Sequence, residues 1–176
     1  MTDYRPGLDG VIATESSISN INGKKGILSY RGYSIEELAQ KSTFEETSYL
    51  LLTGELPTKS QLSSFTKKIN RKRDLPPKLL SLLENLPKNS NPMDVLQLGV
   101  SSLGSFYPIK FDPEELKANL YKEDYFLDIS AGLIGSIGSI VVAWNRIKQN
   151  KNYIKPKDNL SYAENFMHML DDSIKT

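Results

Sequence analysis

The stretch YRGYSIEELAQKSTFEETSYLLLTGELPT, Tyr30 to Thr58, decides the fold, because it holds two helix starts, a glycine stop and a proline restart in one short span. Ser34 lies three residues before Glu37, and Thr43 three before Glu46. In each pair the hydroxyl can accept from an orphan backbone N–H while the glutamate reaches back to the cap residue's own N–H. After Thr43, Phe44, Leu51 and Leu52, with small Ser48 on the same stripe, predict one buried helical face. Gly54 supplies a residue that turns left-handed at a helix C-terminus, and Pro57 with Thr58 opens the next segment. The stretch reads as helix, stop and helix, with no obvious chemistry in it.

Toward the N-terminus, Met1 to Arg31 is polar, and Ile18 and Ile21 before the Asn22-Gly23 turn signal, with Ile27 and Leu28 after it, predict a small β-hairpin. Toward the C-terminus every segment reads as helical. Thr58 and Gln61 form a third capping box ahead of Leu62, Phe65 and Ile69. Pro76 and Pro77 force a restart, and Leu79, Leu80, Leu82, Leu83 and Leu86 make a short apolar helix that ends before Pro87. Asn91 caps a helix with Pro92 at its first position, where a missing N–H costs nothing. Met93, Leu96, Val100 and Leu103 share a stripe there, while Gly99, Ser101, Ser102 and Gly104 are small enough for two helix axes to come close. Asp112-Pro113-Glu114-Glu115 starts a short helix, and a long apolar one follows from Asp124 to Lys148. After the polar linker Gln149 to Asn159, Ser161 and Glu164 cap a last helix bearing Ala163, Phe166, Met167 and Leu170. The sum is a mainly α chain of about eight helices with a hairpin in front, which disfavours α/β folds, since strand and helix do not alternate. No internal repeat appears, so a solenoid is disfavoured as well.

A chain of 176 residues is about one domain's worth. With 22 basic and 21 acidic residues its net charge is +1, too balanced for a broad nucleic-acid or anionic-membrane footprint. The local cluster Lys67, Lys68, Arg71, Lys72 and Arg73 reads as a solvated face whose charge complements a helix C-terminus. There are no cysteines, hence no disulfide and no thiolate metal site. The opening MTDYRPGLDG shows no targeting pattern, and a cytoplasmic protein is expected. The most apolar run, Ile129 to Trp144, is shorter than the ~20 residues a bilayer needs and is diluted by Gly132, Gly135 and Gly138, so no membrane span is expected.

The search for chemistry assigns no catalytic, cofactor-binding or metal residue. His168 is the sole histidine and sits among helix core positions in FMHML, which favours a structural or surface role over acid–base work. The pairs Glu36-Glu37, Glu45-Glu46 and Glu114-Glu115 each fall in a first helical turn, where the dipole favours negative charge, and Asp171-Asp172 is expected to be solvated. Gly132, Gly135 and Gly138 lack the strand and lysine of a phosphate loop and instead suggest close helix packing. Trp144 and the tyrosines do not interleave with basic residues as a single-strand-binding platform would. One histidine and no cysteine leave no metal constellation.

PGLDGV at Pro6 to Val11, YRGYSIEELA at Tyr30 to Ala39, the FEE…YLLLTGELPT run and NPMDVL at Asn91 to Leu96 together resemble the amino-terminal part of a citrate synthase, and the later AWNR and NFMHML runs extend the resemblance over nearly the whole chain. It implies that residues 1–176 are the N-terminal part of the family's large helical domain, with the small domain and the catalytic C-terminal half lying beyond Thr176. The family is an acyltransferase that joins acetyl-CoA and oxaloacetate to give citrate in the tricarboxylic acid cycle. Two histidines and an aspartate do its chemistry, and acetyl-CoA is a substrate rather than a cofactor. None of those residues carries over to this chain, which is therefore expected to be inactive alone, as a fragment, split or degenerate product. The resemblance also implies a homodimer through Pro92 to Ser105 and Asp124 to Lys148, with oxaloacetate and acetyl-CoA bound only if the C-terminal half is supplied. Departures from the family pattern are Asn91 in place of a frequent histidine, Gly138 in place of a common proline, and Asp171-Asp172 in place of a threonine-glycine turn. Two alternatives stay open: a stand-alone helical dimerisation module without catalysis, and a portion of a 2-methylcitrate synthase.

Overall fold

Capping chemistry sets most element borders. The computed structural model describes residues 6–8, 10–12, 14–106, 118 and 122–171. Contacts divide the chain into two units, Met1–Leu56 and Pro57–Thr176.

In the first unit a 3-10 turn at Pro6–Leu8 precedes three antiparallel strands in the order β1 (Ser19–Asn22), β2 (Ile27–Tyr30) and β3 (Tyr33–Ser34). The expected hairpin is present, with Ile21 opposite Leu28 and Asn22 opposite Ile27. The third strand was not expected. It exists because Arg31 (φ 49°) and Gly32 (φ 90°) both take left-handed backbone, forming a two-residue turn whose twist suits the flanking strands. Arginine rarely adopts that conformation. Here its guanidinium is tied down, donating from Nη1 to Ser17 Oγ at 2.7 Å and from Nη2 to the Leu51 carbonyl at 3.0 Å.

Helices α1 (Ile35–Lys41) and α2 (Phe44–Thr53) follow. At α2 the capping box is complete: Thr43 Oγ1 accepts from Glu46 N–H at 3.1 Å and Glu46 Oε2 accepts from Thr43 N–H at 2.8 Å. At α1 only half forms. Ser34 Oγ accepts from Glu37 N–H, but the Glu37 carboxylate turns away to Lys41 Nζ at 3.1 Å. Gly54 (φ 98°) ends α2 and donates its N–H to the Leu50 carbonyl at 2.8 Å. The buried face of α2 corrects the expectation: Glu45, Tyr49 and Leu50 are buried, whereas Phe44 is exposed and Leu51 and Leu52 are half-buried. Counting only apolar side chains left out Glu45, whose position four residues before Tyr49 puts it on the inner stripe.

The second unit contains α3 (Lys59–Arg71), α4 (Pro77–Glu84), α5 (Pro92–Phe106), α6 (Glu123–Lys148) and α7 (Tyr162–Leu170). Seven α-helices and one small sheet make the described residues mainly α, as expected. The short helix expected at Asp112-Pro113-Glu114-Glu115 lies outside the described residues. Helix α6, 26 residues and about 39 Å long, is the hub: α3, α4, α5 and α7 all pack on it. Leu79, Leu83, Val95, Leu103, Ile140 and Trp144 form the middle of the core. On α5 the buried positions are Val95, Gly99 and Leu103. Met93, expected on the inner stripe, is 67% exposed, because the point of contact is a glycine, which an apolar periodicity does not score.

Candidate functional site

Helix α6 meets its neighbours through residues with little or no side chain. A Cβ on Gly135 would stand 2.5 Å from the carbonyl oxygen of Ile69 in α3, and one on Gly138 would stand 2.9 Å from Tyr162 Oη in α7. From the other side, a Cβ on Gly99 of α5 would reach within 2.8 Å of Ile140 Cγ2. Gly132 is ordinary by comparison, with Lys72 Cγ at 3.8 Å. The glycine series is therefore a packing device at Gly135 and Gly138. By length and composition α6 is able to cross a membrane, but in this fold it is the element that four helices pack upon.

Polar side chains complete these crossings. Ser136 Oγ donates to the Lys72 carbonyl at 3.0 Å, and Tyr162 Oη donates to the Ile134 carbonyl at 2.8 Å. Arg73 corrects the expected solvated face. It is 2% exposed, and its guanidinium lies 5.2 Å from the centre of the Tyr162 ring. Lys67 and Arg71 do remain exposed, while Lys68 pairs with Asp128 at 3.8 Å and Asp124 at 4.0 Å. Arg73, Gly138, Ser139, Tyr162, Phe166 and Met169 line a crevice too tight to admit a water molecule, so it is a packing seam rather than a substrate pocket.

Two further buried polar residues hold the C-terminal turn of this unit. Arg146 donates from Nε to the Asn152 carbonyl at 2.5 Å and from Nη1 to the Leu170 carbonyl at 3.4 Å. Asn165, fully buried, donates from Nδ2 to the carbonyls of Lys157 (2.7 Å) and Leu160 (3.0 Å) and accepts at Oδ1 from Lys157 N–H (2.8 Å). This rotates α7 away from its expected face: Asn165 and Met169 point inward, while Ala163 and Met167 are exposed. Burial, with the Asp74 charge adding to it, pushes the Tyr153 hydroxyl up to about 12. At the α7 cap the Ser161 hydroxyl and backbone N–H hold the Glu164 carboxyl below its ordinary value.

His168 is half-buried on α7, and among the described residues it makes no hydrogen bond or ion pair. Glu36 and Glu37 are exposed, Glu45 is buried against expectation, and Glu46 serves the capping box. Glu114, Glu115 and Asp172 lie outside the described residues, while Asp171 is half-buried and its N–H donates to the Met167 carbonyl at 3.1 Å. Trp144 is core. Among the described residues no group of three or more histidine or carboxylate side chains is placed to hold a metal. The residues that sequence reasoning missed are Arg73, Arg146 and Asn165, for which apolar periodicity carries no signal.

A family model described as "Citrate synthase, C-terminal domain" matches residues 7–176. The chain belongs to the citrate synthase family. It is 39% identical to a citrate synthase of Acidithiobacillus ferridurans over 96% of this chain and 43% of that protein. It is 36% identical to 2-methylcitrate synthase 1 of Corynebacterium glutamicum, covering 96% of this chain and 42% of that protein. Its fold matches the crystal structure of citrate synthase from Pyrobaculum aerophilum with a TM-score of 0.82 at 36% identity, covering 93% of this chain and 41% of that one. The chain thus spans about two fifths of the length of the relatives it matches, and the mainly α architecture is that of a citrate synthase.

Proposed function

We propose that this chain supplies the amino-terminal helical scaffold of a citrate synthase and does not catalyse the condensation of acetyl-CoA with oxaloacetate by itself. One observation carries the reading: a match along nearly all of this chain that accounts for only 43% of the relative, in a sequence with a single histidine. The family's reaction, as the resemblance has it, needs two histidines and an aspartate, and one histidine does not suffice. The role left to these residues is to hold the hub helix and to present α5 and α6.

A second observation favours self-association of that scaffold. Phe126, Leu133, Ile137 and Val141 recur at helical spacing on α6 and are each 38–40% exposed. An apolar stripe on the longest helix, beside α5 with Met93 and Leu98 exposed, suits an isologous dimer through these two helices. The stripe also keeps the stand-alone dimerisation module in view.

The test is thiol release from acetyl-CoA in the presence of oxaloacetate. The purified chain alone is expected to give no release above the blank, and the chain mixed with the remaining portion of the Acidithiobacillus relative is expected to regain it. Turnover by the chain alone overturns the reading. A soluble, cooperatively unfolding dimer that no complement activates favours the module instead. Propionyl-CoA in place of acetyl-CoA, in the reactivated mixture, separates 2-methylcitrate from citrate synthesis.

A further inference from the structure

Asn22-Gly23 closes the β1–β2 hairpin and is the sole Asn-Gly dipeptide in the sequence. Asn22 is exposed, and a Cβ on Gly23 would meet nothing within 4 Å, so nothing crowds the approach of the Gly23 nitrogen to the asparagine side chain. The Lys25 N–H donates both to the Asn22 carbonyl at 3.2 Å and to Asn22 Oδ1 at 3.1 Å. The ring closed by the second bond contains Asn22 Cγ and the Gly23 nitrogen, so the side-chain amide and the peptide that attacks it belong to one hydrogen-bonded turn. The same N–H polarises the Cγ carbonyl, and the neighbouring Lys24 and Lys25 ammonium groups favour an amide anion at Gly23.

We propose that Asn22 is a site of spontaneous deamidation, with water as the only co-reactant, and that its isoaspartyl product unpairs the turn end of the hairpin. The Gly23 nitrogen gives up its proton to solvent and bonds to Asn22 Cγ, and the side-chain nitrogen leaves as ammonia. The product is a five-membered succinimide. Water adding at Cγ breaks the new C–N bond and leaves aspartate. Water adding at the backbone carbonyl carbon breaks the original peptide bond and leaves isoaspartate, with the chain now running through Cγ. One amide and one water become one carboxylic acid and one ammonia, with no change of oxidation state. Aspartate fits the first position of the Asn22–Lys25 turn. Isoaspartate adds a backbone atom where Asn22 pairs with Ile27, so the last rung of the ladder is lost.

The test incubates the full chain in mildly alkaline buffer and maps its peptides by mass. The Asn22 peptide is expected to gain about one dalton in two separable products, one of them a substrate for isoaspartyl methyltransferase. Asn89 and Asn150, which are also exposed but followed by Ser90 and Lys151, serve as controls in the same digest. Gly23→Ala is expected to slow the reaction by roughly tenfold or more, about 1.4 kcal/mol of barrier. Gly23 lies outside the left-handed region and a Cβ there is unopposed, so this variant keeps its fold. Conversion of Asn22 no faster than Asn89, or an unchanged rate in Gly23→Ala, overturns the site. Faster amide exchange at Ile27 in the isoaspartyl fraction alone supports the unpairing, and equal exchange in both fractions refutes it.

Discussion

The two units of this chain are held by different kinds of contact. In Met1–Leu56 the elements are bounded by hydrogen bonds between near neighbours, a half-formed box at Ser34, a full one at Thr43 and the Gly54 stop, and the Arg31 side chain ties the end of β2 to the Leu51 carbonyl. In Pro57–Thr176 the decisive contacts join residues far apart in sequence, Gly99 to Ile140, Gly135 to Ile69 and Arg146 to Leu170. A cap needs one hydroxyl in the right place, whereas a helix crossing needs two surfaces that match. Altering a contact of the first kind is expected to lose about 1 kcal/mol, and altering one of the second kind up to about 3 kcal/mol.

The largest expected effect lies at Gly135. Gly135→Ala forces a methyl group to 2.5 Å from a backbone oxygen that no side-chain rotation relieves, and should lose about 3 kcal/mol in urea unfolding. Gly132→Ala, three residues away on the same helix, should instead hold its stability or gain up to about 1 kcal/mol, because its Cβ meets Lys72 at an ordinary distance and alanine is the better helix former. Equal behaviour of the two variants breaks the comparison. Next is Asn165→Ala, which leaves three backbone groups of the 157–160 loop without their partner and should lose about 2 kcal/mol by the same measurement. A loss of only a few tenths shows that water replaces the amide. The smallest effect belongs to the first unit: Thr43→Ala should lose about 1 kcal/mol, and Ser34→Ala less, since the Glu37 carboxylate already serves Lys41. The reverse order means that pairing across the box contributes nothing.

Much of the fold was legible in the sequence. The caps at Ser34, Thr43, Thr58 and Ser161, the Gly54 stop and the hairpin around Asn22-Gly23 all follow from local backbone chemistry within a few residues, and the extent of α6 follows from its long apolar run. The inward faces of α2, α5 and α7 were less legible. Each is centred on a residue that apolar periodicity does not count: Glu45, Gly99 and Asn165. Arg73 was misread for a related reason, since a run of five basic residues around a helix end suggests solvent, while the turn after α3 carries its last member under the Tyr162 ring. The candidate site shows the same division. That His168 is the sole histidine is read directly from the sequence, but the tight seam between α3, α6 and α7 is not.

By itself the sequence determined the family, the order of the helices and where most of them start and stop, because those properties rest on local hydrogen bonding and on motifs that lie contiguous in the chain. The tertiary structure alone decided which sides of α2, α5 and α7 are inside, that Arg31 turns left-handed, and that Arg73, Arg146 and Asn165 are buried rather than solvated. The physical reason is that burial of a polar or side-chain-free residue is favourable only when a particular partner arrives from elsewhere in the chain, an Ile69 carbonyl or a Tyr162 ring, and no periodicity within one segment encodes that arrival.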